Sequence, residues 1–401
     1  MLVNRSLRMS TLRFRKVRLC VVLSVAIFWG CSKPQPVEPQ VGEDVAPGDR
    51  AADDTARFLA GLPGRNGSPF AALEATPAWR RHRREIEGLW NPVERQWLPK
   101  MREFRAAELS SIEKKNPVVF YPFSGPDVLA VNAFFPNAQI YVLAGLEPSG
   151  TLPSPKQIEK RELDPYLSGI RESIYSELHR SFFITREMDS DFRGQATDGL
   201  LQPILMLLAL TNHTILDARY VRIDEQGRIA GRAPNYKAPG KIGNKGVAVS
   251  FRGGDRGPRQ VLYYFTVNLS DERLKINPQF LRYLQSLGSV ATFLKATSYM
   301  PHHEGFGIIR EEILSRSAAI LQDDSGIPFR YFQQPQWVVQ LYGQYDRPYG
   351  SFRYLEQPAL RAAYAAPGVK PLTFRIGYGF GKVPSNLLLA TRRETIAAAG
   401  H

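Results

Sequence analysis

The chain has 401 residues, 43% of them hydrophobic, enough for a sizeable core in one large or two small domains. Its 52 Lys and Arg stand against 38 Asp and Glu, a net charge of +14 that favours contact with anionic surfaces. Only two cysteines occur, Cys20 and Cys31, which excludes a disulfide-rich scaffold.

Met1 to Arg18 carries Arg5, Arg8, Arg13, Arg15, Lys16 and Arg18 and no acidic residue. Leu19 to Trp29 is then apolar apart from Ser24, and Gly30-Cys31 follows. A basic start, a short apolar run and a small residue at the cut read as a secretory signal over residues 1–30. The apolar run is about half the roughly 20 residues that a membrane-spanning helix requires. Gly30-Cys31 resembles the lipobox of bacterial lipoproteins, in which the cysteine becomes the first mature residue and carries the lipid. Ser32 follows, where sorting in such lipoproteins favours the outer membrane. The resemblance implies lipidation at Cys31, a membrane partner through that anchor, and a location in the cell envelope facing the periplasm. Phe28 and Trp29 are bulkier than the family usually shows before the cut.

Cleavage would remove Cys20, leave Cys31 as the sole cysteine and bring the net charge near +8. No thiol nucleophile or thiolate metal site is then expected, and no metal is predicted. The positive charge points to an anionic envelope ligand such as phospholipid headgroups, rather than nucleic acid, which an exported protein would seldom meet.

Residues 31–54 are rich in proline and polar side chains and lack aromatics, so they read as an extended tether. Residues 55–115 read as a helical segment packing on the body. Ile86, Leu89, Trp90, Val93, Trp97, Met101 and Phe104 form an apolar stripe at helical spacing. Pro92 and Pro99 predict breaks or kinks, with Asn91 capping the segment that starts at Pro92. Arg80, Arg81, Arg83 and Arg84 read as a solvated face.

From residue 116 to 395 strands and helices alternate. The predicted strands are Val118–Tyr121, Gln139–Leu143, Thr214–Ile223, Gly246–Arg252, Gln260–Leu269, Ala291–Ser298, Ala318–Gln322, Trp337–Tyr345 and Leu372–Tyr378. The predicted helices are Pro126–Phe135, Pro165–Phe183, Gly194–Leu210, Pro278–Leu287, Phe306–Ser315, Gln357–Ala365 and Ser385–Arg392. The fold class expected is α/β, with a mixed, largely parallel sheet flanked by helices, one antiparallel hairpin at 246–269 and the N-terminal helical segment.

Chemistry is sought first in Val118 to Gly150, a βαβ unit whose Ser124-Gly125-Pro126-Asp127 turn and Glu147 both fall at strand carboxyl ends. The unit resembles the first βαβ of class I methyltransferases through Pro122, Phe123, Gly125 and the acidic Glu147. That resemblance implies a Rossmann-like fold and an adenosyl cofactor, but the glycine-rich loop is missing, and such cofactors are not supplied outside the cytoplasm. The cofactor is left unknown. The segment Tyr121 to Asp127 also resembles one in exported bacterial proteins of unassigned activity. Ser124 and Asp127 equally suit a helix cap, and no Gly-x-Ser-x-Gly elbow supports Ser124 as a nucleophile.

Other candidates are His302, with His303 and Glu304, after the strand Ala291–Ser298, and Asp323 with Asp324 after Ala318–Gln322. A histidine there suits general-base work, and paired acids suit a cation or acid–base chemistry, although Asp-Asp-Ser-Gly is also an ordinary turn. Gly377, Gly379 and Gly381 suit a phosphate cradle or a crowded strand end. If the three strands adjoin, Asp127, Glu147, His302 and Asp323 converge on one cleft. The functions expected are a ligand-binding envelope lipoprotein or an envelope hydrolase using an Asp/His cluster, with a methyltransferase-like protein as a minor alternative.

Overall fold

The computed structural model describes residues 50–180, 198–231, 244–254, 256–380 and 383–393. The signal segment, Cys31, the tether up to residue 49 and Gly381 lie outside the described residues.

Among the described residues ten strands form one sheet, ordered β4-β3-β5-β6-β2-β1-β7-β8-β10-β9. In chain order they are β1 Val118–Pro122, β2 Ile140–Gly145, β3 His213–Ile223, β4 Ile229–Gly231 and β5 Lys245–Gly253. Then come β6 Arg259–Thr266, β7 Val290–Leu294, β8 Ser317–Gln322, β9 Trp337–Gly343 and β10 Asn386–Arg392. The mixed α/β class is as expected. Parallel pairing is confined to the centre, β6-β2-β1-β7-β8, while the five outer pairings are antiparallel. The sheet is therefore parallel at its middle rather than over most of its width. The predicted hairpin is the β5–β6 pair.

Both faces of the central strands are covered, which is what makes them continuous apolar runs. β1 and β2 are buried at every position. Val119, Tyr121, Tyr141 and Leu143 pack into the core beneath the N-terminal helices, and Val118, Phe120, Ile140 and Val142 into the core on the opposite face. The alternation of side chains along a strand divides them.

Two segments depart from expectation. Ser385–Arg392, predicted as a helix, is β10, because Leu387-Leu388-Leu389-Ala390 is a short run buried on both faces. Such a run carries no period to distinguish strand from helix. Leu372–Tyr378, predicted as a strand, forms none: the isolated bridge to Tyr342 is made by Lys370, just before it, and a 3-10 turn follows at Gly377–Phe380. Pro371 offers no N–H to continue the ladder.

The aromatic stripe is core, as read. Ile86, Trp90, Val93, Trp97, Met101 and Phe104 are buried and Leu89 is half-buried against the same core, and the Phe104 ring lies 4.8 Å from Tyr342 and 5.7 Å from Phe374. The prolines do not break the segment. Helices Pro77–Pro92, Leu98–Phe104 and Ser110–Lys115 follow one another through two π-turns, Val93–Trp97 and Arg105–Leu109. A wider turn after Pro92 accommodates the missing N–H without ending the helix, and Asn91 therefore caps nothing there. Arg80, Arg81, Arg83 and Arg84 are exposed, with Arg81 paired to Asp164.

The body begins earlier than the predicted boundary at residue 54. Helix Ala51–Leu59 buries Asp53, whose carboxylate accepts the Ile215 N–H at 2.9 Å and pairs with Arg65 at 2.9 Å. Asp53→Ala leaves a buried N–H without an acceptor and should lower unfolding free energy by about 1–3 kcal/mol in a urea titration. A variant as stable as the parent would show that this helix is an appendage.

Candidate functional site

The centre of the sheet has a switch point. From β1 the chain moves outward one way through β2 and β6, and the other way through β7 and β8. In doubly wound sheets a crevice opens at the carboxyl ends of the two strands that flank this reversal. Here a cavity of about 110 Å³ lies there, lined by residues following β1, β2, β6 and β7. One water needs roughly 10–15 Å³ on such a measure, so the space suits several waters or a small molecule.

The turns around it are strained. Phe123, Ala296, Ser298 and Tyr299 have φ between 50° and 58°. Non-glycine residues visit this left-handed region at a cost of order 1–3 kcal/mol each, and such residues concentrate at functional sites. Phe123 follows β1, and the other three follow β7. The strand predicted to reach Ser298 ends at Leu294, and residues 295–299 form the turn instead.

Those turns meet in a buried charge cluster. Lys295 Nζ lies 2.6 Å from Asp127 Oδ2 and 3.1 Å from Glu177 Oε1. The Tyr121 hydroxyl donates to the same Asp127 oxygen at 2.6 Å. Asp127 Oδ1 accepts the Ala130 N–H at 3.0 Å and so caps helix Val128–Phe134. All four side chains are at most 2% exposed. Burial would push the Lys295 ammonium down, but Asp127 and Glu177 outweigh it and hold it above its ordinary value. Desolvation, and then the charge of Asp127, push Glu177 up to about 8. Desolvation and the same carboxylate keep the Tyr121 phenol protonated. Lys295 thus pairs with Asp127 and is flanked by a Glu177 that keeps its proton at neutral pH and by a phenol.

Of the predicted candidates, Ser124, Asp127 and Glu147 line this cavity. The Ser124 hydroxyl donates to Gly125 O at 3.0 Å, so Asp127 alone is the cap. The Glu147 carbonyl accepts from Tyr264 at 2.8 Å and Thr266 at 2.9 Å, which turns its carboxylate toward the cavity wall.

The remaining candidates form a second layer behind the cavity. Asp323 accepts the N–H groups of Ala296 at 2.9 Å and Ser325 at 3.0 Å, and the Ser325 hydroxyl. Asp324 accepts from the Tyr299 hydroxyl and from Asn386 Nδ2 at 2.9 Å. The His302 ring packs edge-on against Tyr299, 5.1 Å between centroids, and burial lowers its pKa to about 4. The expected convergence of Asp127, Glu147, His302 and Asp323 is therefore divided: two line the cavity, and two brace the turn that carries Lys295. The Asp-Asp-Ser-Gly segment is a clamp whose acids are already satisfied. Among the described residues no group of three or more His, Cys, Asp or Glu is arranged to hold a metal ion. Gly377 sits at φ 52°, where a Cβ would meet Asp323 Oδ2 at 2.5 Å, so its smallness serves crowding and not a phosphate.

Lys295, Glu177 and Tyr121 were not singled out from the sequence. A signal existed for two of them. Lys295 is the lone charge in Val-Ala-Thr-Phe-Leu-Lys-Ala, and Glu177 shares a helical face with Ile170 and Ile174, which are buried. Such residues are rarely buried unless paired. Comparison with family models, curated proteins and solved structures finds no match.

Lys295→Met should lower stability by about 3–5 kcal/mol, read by denaturant unfolding, because Asp127 is left buried without its cation. The pH dependence has a defined sign. Folded Glu177, raised to about 8, and Asp324, raised by burial and Asp323 to about 7, retain protons that the unfolded chain has lost. Stability from them falls as pH rises to 8. His82 and His302, both lowered to about 4 by burial, oppose that trend only below pH 6.5. The melting temperature should accordingly drop between pH 6.5 and 8, by up to about 2 kcal/mol in stability, and Glu177→Gln should flatten the drop.

Proposed function

We propose that the chain is an exported envelope protein, tethered by lipid at Cys31, whose body binds a small polar ligand in the cavity at the switch point. One observation carries the binding reading: three strained lining residues, Phe123, Ala296 and Ser298, and a buried Lys295–Asp127–Glu177 cluster all converge on that cavity. A fold does not need either feature for stability, since a buried ion pair is often replaceable by apolar packing. The tethered location rests on the basic leader, its short apolar run and Gly30-Cys31. Among the described residues no helix is long and apolar enough to cross a membrane.

A second reading, acid–base catalysis, is favoured by Glu177, raised to about 8 beside a second carboxyl, Asp127. A carboxyl that keeps its proton near neutral pH is what such chemistry uses as an acid. It would differ from the expected Asp/His hydrolase, because His302 is held against Tyr299 and does not line the cavity. Ser124 likewise has no histidine among the residues that line the space with it. For the methyltransferase-like alternative the strand order is favourable, but Asp127 occupies the helix N-terminus and Gly125 is the turn's only glycine. The turn does not fit an adenosyl cofactor closely, and no step is assigned to one.

Thermal-shift screening against a library of small polar metabolites tests the binding reading. At least one compound should stabilise the parent and not Met300→Trp, which fills the cavity from a half-exposed wall. A library without a hit, or hits that survive Met300→Trp, would count against it. For the anchor, Cys31→Ser should move the protein from the membrane fraction to the soluble fraction; continued membrane association would refute lipidation.

A further inference from the structure

The charge of the cavity runs against the charge of the chain. The whole sequence carries +14. The described residues lining the cavity include three carboxylic acids, Asp127, Glu147 and Glu177, and one cation, Lys295. Lys295 is bound by both Asp127 and Glu177, so its charge is already engaged and does not invite an anion.

Glu177 adds a buried oxygen to that lining. Its side chain is fully buried and lines the cavity, and among the described residues Oε2 accepts no hydrogen bond. While Glu177 keeps its proton it can donate to Asp127, but once that proton leaves, Asp127 is an acceptor too and no described residue supplies a donor to Oε2. An unfilled buried acceptor costs about 1–3 kcal/mol unless a proton or a ligand donor meets it. Among the described residues Glu147, half-buried, receives the Tyr264 hydroxyl at 3.4 Å on Oε2 and no other donor on its carboxylate. The other side of the cavity is apolar. Phe123 and Phe306 meet edge-on at 5.8 Å, with Leu269 and Met300 completing that wall. Acidic acceptors facing aromatic rings are the complement of an organic cation.

Resting on the reading that this cavity binds a ligand, we infer that the ligand is a small organic amine, whose ammonium donates to Glu177 Oε2 with Glu147 offsetting its charge. Its apolar body lies against Phe123 and Phe306.

The exchange has a proton balance. Among the described residues the charged and titratable groups facing Glu177 are Asp127 from the turn before helix Val128–Phe134, Lys295 after β7 and Tyr121 on β1. In the free protein at neutral pH Glu177 keeps its proton. An arriving ammonium favours the carboxylate, so the Glu177 proton leaves to solvent as the N–H···O contact forms. Binding should therefore tighten as pH rises from 6 to 8.

Isothermal titration calorimetry of the full chain at pH 7 decides the matter, using butylamine and benzylamine against benzyl alcohol and benzoate. Paired buffers of different ionisation enthalpy report the proton. The amines should bind at least about tenfold more tightly than the alcohol, releasing close to one proton, while benzoate does not bind. Glu147→Gln should weaken amine binding about tenfold, and Glu177→Gln should do so and abolish proton release. Equal or better binding of the alcohol or benzoate, lost in Met300→Trp, would overturn the amine assignment and leave the binding reading intact. Amine binding that survives Met300→Trp, or that ignores both glutamate variants, would also overturn it. Silence from all four probes refutes the amine. If the metabolite library is silent as well, the binding reading fails with it.

Discussion

Lys295 and Asp127 meet 2.6 Å apart in a place where neither could stand alone. Moving either charge from water into the interior costs several kcal/mol, and their attraction repays it only when the remaining donors and acceptors are also matched. Around this pair they are: the Tyr121 hydroxyl and the Ala130 N–H complete Asp127, and Glu177 completes Lys295. The contact ties the turn after β1 to the turn after β7, the two strands on either side of the sheet's reversal.

Such a contact demands a rigid frame, and the second layer supplies one. Thr297 gives its N–H to Ser325 Oγ at 2.9 Å and its hydroxyl to Ser325 O at 2.6 Å. Asp323 holds the Ala296 N–H, and Tyr299 reaches Asp324. Three left-handed non-glycine residues in a row of four, 296, 298 and 299, persist because these bonds over-determine the backbone. Acids that looked like reagents in the sequence are fasteners in the fold, while the lysine they position faces the cavity.

Charge acts here on two scales. The positive total concerns long-range encounter with anionic surfaces, and exposed arginines such as Arg80, Arg83 and Arg84 belong to that surface field. A cavity responds to the few groups that line it, since low surrounding dielectric magnifies near charges over distant ones. Net charge is therefore a poor guide to what the cavity accepts.

The sequence by itself determined the α/β class, the presence and starts of the central strands to within a residue, and the core role of the Ile86–Phe104 stripe, because these depend on local period and residue type. It also placed Asp127 and Glu147 at strand carboxyl ends, since a strand followed by a polar turn is a local pattern. β10 escaped it because a strand buried on both faces has no alternation to read. Lys295 and Glu177 were legible only as anomalies, single charges in apolar settings. Their meeting was decided by tertiary structure: 118 residues separate them, and only the strand order brings the end of β7 beside helix Leu163–Arg180 and the turn after β1. Pairing between distant strands is a property of the whole chain's packing, and no segment carries it alone.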